Sequence, residues 1–190
     1  MRVFAVVAAA VALLALAVPR PPARAEAIRP GYSFDGGTAR ERATVRAALA
    51  TSGFDWRAVP AEVTIHIIPG GGCSAVSGQI WLGSEMLAHG RDAWGVVQHE
   101  YGHEVDYFLL DSRARARLGA LLGGKTWWPD GRFRHSEYGA ERFASTLSYA
   151  YWPSPHNVLL RDARAEARAM SPARFRRALG RILAERLSDR

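Results

Sequence analysis

Trp94-Gly95-Val96-Val97-Gln98-His99-Glu100-Tyr101-Gly102-His103-Glu104-Val105-Asp106-Tyr107-Phe108 is the stretch on which the fold turns. Its apolar positions Trp94, Val97, Tyr101, Val105 and Phe108 recur at spacings of three and four. That period predicts a helix from Asp92 to about Leu110 with one stripe facing a core. Upstream, Val63-Thr64-Ile65-His66-Ile67-Ile68 is β-branched and apolar and stops at Pro69 and the glycines that follow, which predicts a strand. Gln79-Ile80-Trp81-Leu82 reads as a second, shorter strand, and Ser84 to Ala88 as a helical turn. Further back, Thr38-x-x-Glu41 is a capping box that opens a helix to about Ala50, and Gly53 ends it. Downstream, a helix from Ser112 to Leu122 ends at Gly123-Gly124, and Lys125 to Arg134 is expected to be a loop. Ser136 is expected to cap a helix to about Tyr151, and Ser171-Pro172 opens a last one to about Leu187. Short strands ahead of several helices make a small α+β domain with a helical C-terminal half.

The first residues belong to another kind of segment. Met1-Arg2 precedes an apolar run from Val3 to Val18, and Ala23-Arg24-Ala25 offers a small-x-small cleavage site. Residues 1–25 are therefore expected to be a secretory signal peptide, cut before Glu26, which places the mature chain outside the cytoplasm. The run is shorter than the roughly 20 residues that span a bilayer, so no stable membrane insertion is expected after cleavage. Residues 26–37 carry Pro and Gly without periodicity and are expected to be a linker or loosely ordered arm, leaving 38–190 as the domain. Removing Arg2, Arg20 and Arg24 with no acid takes three charges from the formal +7. What remains is arginine spread along helices, as in Arg113/Arg115/Arg117, which reads as a solvated face, and no nucleic-acid partner is expected. The lone Cys73 can make no internal disulfide, and it is expected to be a small packed residue.

The chemistry sits on the central helix. Residues four apart share a helical face, so His99 and His103 can bring two imidazole nitrogens to one zinc ion. Glu100 then lies beside the metal, where it can take a proton from an activated water and return it to a leaving amine. This is the content of the H-E-x-x-H pattern. The metzincin extension needs Gly and His where the chain has Asp106 and Leu109, so that class is excluded. A third ligand must come from elsewhere. Glu137 and Glu141 share a helical face and spacing does not separate them, while Asp106 and His135 are further candidates. Asp106, on the same helix, is also placed to accept a hydrogen bond from a ligand histidine. Tyr138, three residues before Glu141, is favoured over His135 as hydrogen-bond donor to the oxyanion of a tetrahedral intermediate. Gly102, Ala140 and Ala144 are small enough to let the two helices approach closely.

His99-Glu100-Tyr101-Gly102-His103-Glu104-Val105-Asp106 followed by Glu141-Arg142-Phe143-Ala144 resembles the gluzincin class of zinc peptidases. The resemblance is strongest to the compact catalytic domains related to the anthrax lethal-factor metallopeptidase, with their H-E-x-G-H-x-x-D and E-x-F-A patterns. It spans roughly residues 60 to 152. It implies a zincin-like fold, Glu141 as the third zinc ligand, Glu100 as the catalytic acid and base, and a protein or peptide substrate. It also implies an edge strand above the metal that holds extended substrate by main-chain hydrogen bonds, a place Ser77 to Leu82 is expected to fill. The family's second helix often carries an acid four residues after the ligand, where this chain has Ser145. Two other classes compete: a non-catalytic binding protein on the same fold, and a membrane-tethered basic module at the cell surface. Oligomeric state is not legible in the sequence.

Overall fold

The computed structural model describes residues 31–188, so the expected signal peptide lies outside the described residues. Strand β1 (Tyr32–Gly36), helix α1 (Ala39–Thr51) and strand β2 (Val63–Ile68) form a β-α-β unit. β1 runs parallel to β2, with Tyr32 opposite Val63 and Gly36 opposite Ile67. Strands β3 (Cys73–Val76) and β4 (Gln79–Gly83) form a hairpin around Ser77-Gly78, where Gly78 takes a left-handed φ of 81°. β4 then pairs parallel to β2, giving a four-stranded mixed sheet in the order β1-β2-β4-β3.

Two expectations about these strands need correcting. Residues 32–36, assigned to a loose arm, are a sheet strand. Its period-two signal is the pair Tyr32 and Phe34, whose rings meet edge to face at 5.5 Å, while Tyr32 also meets Tyr101 at 6.2 Å. The edge strand on the helix side is β3, not the segment around Gln79 to Leu82. β4 carries the apolar residues because it is covered by neighbours on both sides, whereas Cys73 and Ala75 of β3 pack their small side chains against the core from the sheet edge.

The capping box forms as the sequence predicts: Thr38 Oγ1 accepts from Glu41 N at 3.3 Å, and Thr38 N donates to Glu41 Oε2 at 2.6 Å. A 3-10 turn over Gly90–Ala93 leads into α3 (Trp94–Leu109), which follows the four-residue α2 (Ser84–Leu87). α4 (Ser112–Leu122) is capped by the Asp111 side chain on Ala114 N at 2.8 Å and ends at left-handed Gly123. After a 3-10 turn at His135–Glu137 come α5 (Gly139–Tyr151), the short α6 (Leu159–Asp162) and α7 (Arg164–Ala167), and α8 (Pro172–Ser188). Ser136 therefore does not cap α5. The helix starts three residues later, because Tyr138 is extended at φ −84°, ψ 137°.

α3 is the spine of the molecule. The apolar stripe Val97, Tyr101 and Val105 is buried as expected, facing Val45 and Leu49 of α1 and Ile65 and Leu82 of the sheet in one cluster. Each such side chain contributes on the order of 1.5–3 kcal/mol by leaving water. The opposite face is buried as well, since every residue from Val97 to Asp106 is buried. The helix is covered there by α5, and Gly102 permits it: a Cβ at this position would stand 3.1 Å from Ala144 Cα and 3.3 Å from Ala144 Cβ. Phe143 and Leu147 of α5 meet Phe175 and Leu179 of α8 on the far side. Among the described residues no helix is long and apolar enough to cross a membrane.

Candidate metal centre

α3 and α5 place their polar residues where the two helices touch. His99 and His103, one turn apart, bring Nε2 to Nε2 at 3.2 Å, with the rings edge to face. Glu141, in the first turn of α5, puts Oε2 3.3 Å from each of those nitrogens. All three residues are buried, with 6%, 8% and 7% of their surfaces exposed. Glu100 is buried beside them, with a carboxylate oxygen within 4.8 Å of a ring nitrogen of each histidine. The group forms one wall of an open cavity of about 250 Å³, lined elsewhere by β3 residues Cys73 to Ala75 and by Tyr107, Trp128 and Pro129.

Burial opposes charge on Glu141, yet the imidazoles of His103, His135 and His99 around its carboxylate outweigh it and hold the carboxyl far below its ordinary range. Burial works against a charged His103 too, but Glu141 more than compensates, and the imidazole is raised. Glu100 is raised by burial, with His99 and His103 offsetting only part of the shift. One helix thus carries a carboxyl pushed towards the protonated form, beside a second carboxyl held firmly ionised.

The other candidates fall in different places. Asp106 accepts from Arg115 Nε at 2.7 Å and from Trp127 Nε1 at 2.8 Å, so it ties α3 to α4 and the loop rather than orienting a histidine. Glu137 faces solvent and pairs with Lys125 at 2.5 Å, because the 3-10 turn takes it off the helical face it was expected to share with Glu141. Tyr138 is not brought to the cavity. Its hydroxyl accepts from Phe133 N at 3.0 Å and donates to Asp130 at 3.3 Å, within the loop. The expected i, i+3 relation to Glu141 fails since Tyr138 precedes the helix in extended conformation. His135 does line the cavity, with Nε2 3.1 Å from Glu141 Oε2. Its bonds to Glu141 and Glu166 outweigh its partial burial and raise it to about 10.

Comparison with protein-family models, curated proteins and solved structures gives no match.

One participant has no counterpart in the sequence expectations. Glu166, in α7, is 3% exposed and reaches the centre through two contacts. Ser145 Oγ donates to its Oε2 at 2.9 Å and His135 Nδ1 donates to its Oε1 at 2.9 Å. Ser145 Oγ also lies 2.9 Å from His99 Nδ1. In sequence, Glu166 sits in the arginine-rich run Arg161 to Arg168, which looks like a solvated surface.

Proposed function

We propose that the chain is a zinc-dependent peptidase of the gluzincin kind, with His99, His103 and Glu141 holding the ion. One observation carries the proposal. Nε2 of His99, Nε2 of His103 and Oε2 of Glu141 form a nearly equilateral triangle with edges of 3.2, 3.3 and 3.3 Å. Ligands about 2.0–2.1 Å from a tetrahedral zinc stand roughly 3.3–3.4 Å apart, so the triangle fits one face of such a tetrahedron. Ion-paired hydrogen bonds between the same groups contract to about 2.7–2.9 Å, which these contacts do not. Two imidazoles and one carboxylate are also a donor set that suits zinc and leaves a position for substrate. Between the two carboxylates, Glu141 is the better third ligand. It reaches the histidines from a separate helix at equal distances, whereas Glu100 leaves the shared helix one residue after His99.

When bound, the ion supplies Lewis acidity towards a carbonyl oxygen and a water. Glu100 takes the proton of the attacking water and delivers it to the departing amine. Its raised affinity for a proton suits a group that must do both. His135, rather than Tyr138, lines the cavity, and its Nε2 is engaged 3.1 Å from Glu141 Oε2. The exposed edge of β3 offers backbone groups to an extended peptide along the cavity rim. Export through residues 1–25 belongs to the same proposal.

Glu100→Gln tests the mechanism, using casein as substrate and a chelator as control. The variant is expected to keep its zinc and lose at least 100-fold in cleavage rate, on the order of a general-base contribution. Equal rates for the variant and the unaltered chain would rule out this mechanism. Unaltered protein that holds zinc and cleaves nothing would favour a closed structural site with His135 as fourth ligand.

A further inference from the structure

We propose that Glu166 is a positioning residue that holds the metal centre from α7, orienting His99 through Ser145 and His135 directly. The inference rests on the metal site proposed above and deepens it. The direction of each hydrogen bond follows from counting protons. A carboxylate offers only lone pairs, and a serine hydroxyl has a single proton to give. Ser145 spends that proton on Glu166 Oε2 at 2.9 Å. At the 2.9 Å contact between Ser145 Oγ and His99 Nδ1, the imidazole must therefore be the donor. His99 thus carries a proton on Nδ1 and presents Nε2 to Glu141 and His103. On the other arm, His135 Nδ1 donates to Glu166 Oε1 at 2.9 Å, which sends its Nε2 towards the same Glu141 oxygen.

The carboxylate is itself fixed by α5. Thr146 Oγ1 donates to the Glu166 carbonyl at 2.8 Å, so consecutive α5 residues grip the backbone and the side chain of Glu166. α7 is too short to set this position alone. Among the described residues the side-chain partners of Glu166 are Ser145 and His135, so each of its side-chain contacts leads to the centre. Ligand histidines commonly donate their second nitrogen to a carboxylate, and losing that partner typically weakens metal binding 10- to 100-fold. In this chain the carboxylate comes from a separate short helix and acts through a hydroxyl.

The experiment compares the unaltered chain with Ser145→Ala, which cuts only the His99 arm, and Glu166→Gln, which keeps the shape but loses two-sided acceptance. Two properties are read: zinc affinity by competition with a chromophoric chelator, and the His99 Nδ1–H proton by nitrogen-15 NMR of zinc-free and zinc-loaded protein. Both variants are expected to bind zinc roughly 10-fold or more weakly, and to lose the protected Nδ1–H resonance, with helical content unchanged. A residue that only supports the fold would move neither at constant helical content. Zinc affinity within about twofold of the unaltered chain in both variants, with the Nδ1–H resonance retained, overturns the proposal. If the unaltered chain takes up no zinc, the peptidase proposal fails, and the zinc-free Nδ1–H resonance still decides the role of Glu166.

Discussion

Glu104 shows how one side chain senses burial. It leaves α3 on the side opposite the α5 contact and accepts from Gly78 N at 2.7 Å through Oε2, which fastens the β3–β4 turn to the helix. Among the described residues its Oε1 is buried with no hydrogen-bond partner. Desolvation raises this carboxyl from 4.5 to about 7, against the smaller pull of the Gly78 amide and His103. Because the folded state holds the proton more tightly than the unfolded state, this residue lowers stability as pH rises from about 4.5 to about 7. Below that window both states are protonated and above it both are ionised, so the contribution is flat outside it. Glu104→Gln keeps an acceptor for Gly78 and removes the charge. In zinc-free protein, urea unfolding at about pH 5 and about pH 8 should show the stability difference, variant minus unaltered chain, growing with pH. A difference that stays constant or shrinks would contradict the assignment.

At the scale of elements, the α3–α5 contact sets both the core and the candidate metal centre. Gly102 lets Ala144 approach, and the same spacing brings Glu141 to within 3.3 Å of both histidines. Gly102→Val should force the helices apart, at a cost of about 1–3 kcal/mol typical of overpacking. It should also weaken zinc binding, because the donor triangle opens with the helices. Chemical denaturation and zinc titration check the two effects. A Val variant as stable and as tight for zinc as the unaltered chain would show that the contact is not limiting. That these residues come together was legible in the sequence: the spacing of His99 and His103, the small residues at 102, 140 and 144, and the resemblance that singled out Glu141. Tyr138 was misplaced because helical spacing was extended one turn too far, into a segment where the backbone is already extended. Glu166 was hidden for another reason. Its neighbours are arginines, and only the packing of α7 on α5 shows that the acid points inward.

The whole molecule is a four-stranded mixed sheet followed by helices, with α3 between the sheet and the helical half. The order of elements was readable from local signals: β2 matches the predicted strand from Val63 to Ile68, and α4 matches Ser112 to Leu122. Sheet order was not readable, because pairing is a long-range property. β1 and β3 are short, and their strand character comes from backbone bonds to partners far along the chain or across a tight turn. The consequence for function is that the strand facing the cavity is Cys73–Val76 rather than the more apolar Gln79–Gly83. With a single cysteine the fold has no internal disulfide, so an ion shared by α3 and α5 would be its one cross-link beyond packing. The most direct test of that ion is the zinc content of purified protein, measured for the unaltered chain, Glu141→Ala and Glu137→Ala. The account predicts about one zinc per chain in the first and third and near none in Glu141→Ala. Near-full zinc in Glu141→Ala, or none in the unaltered chain, would contradict it.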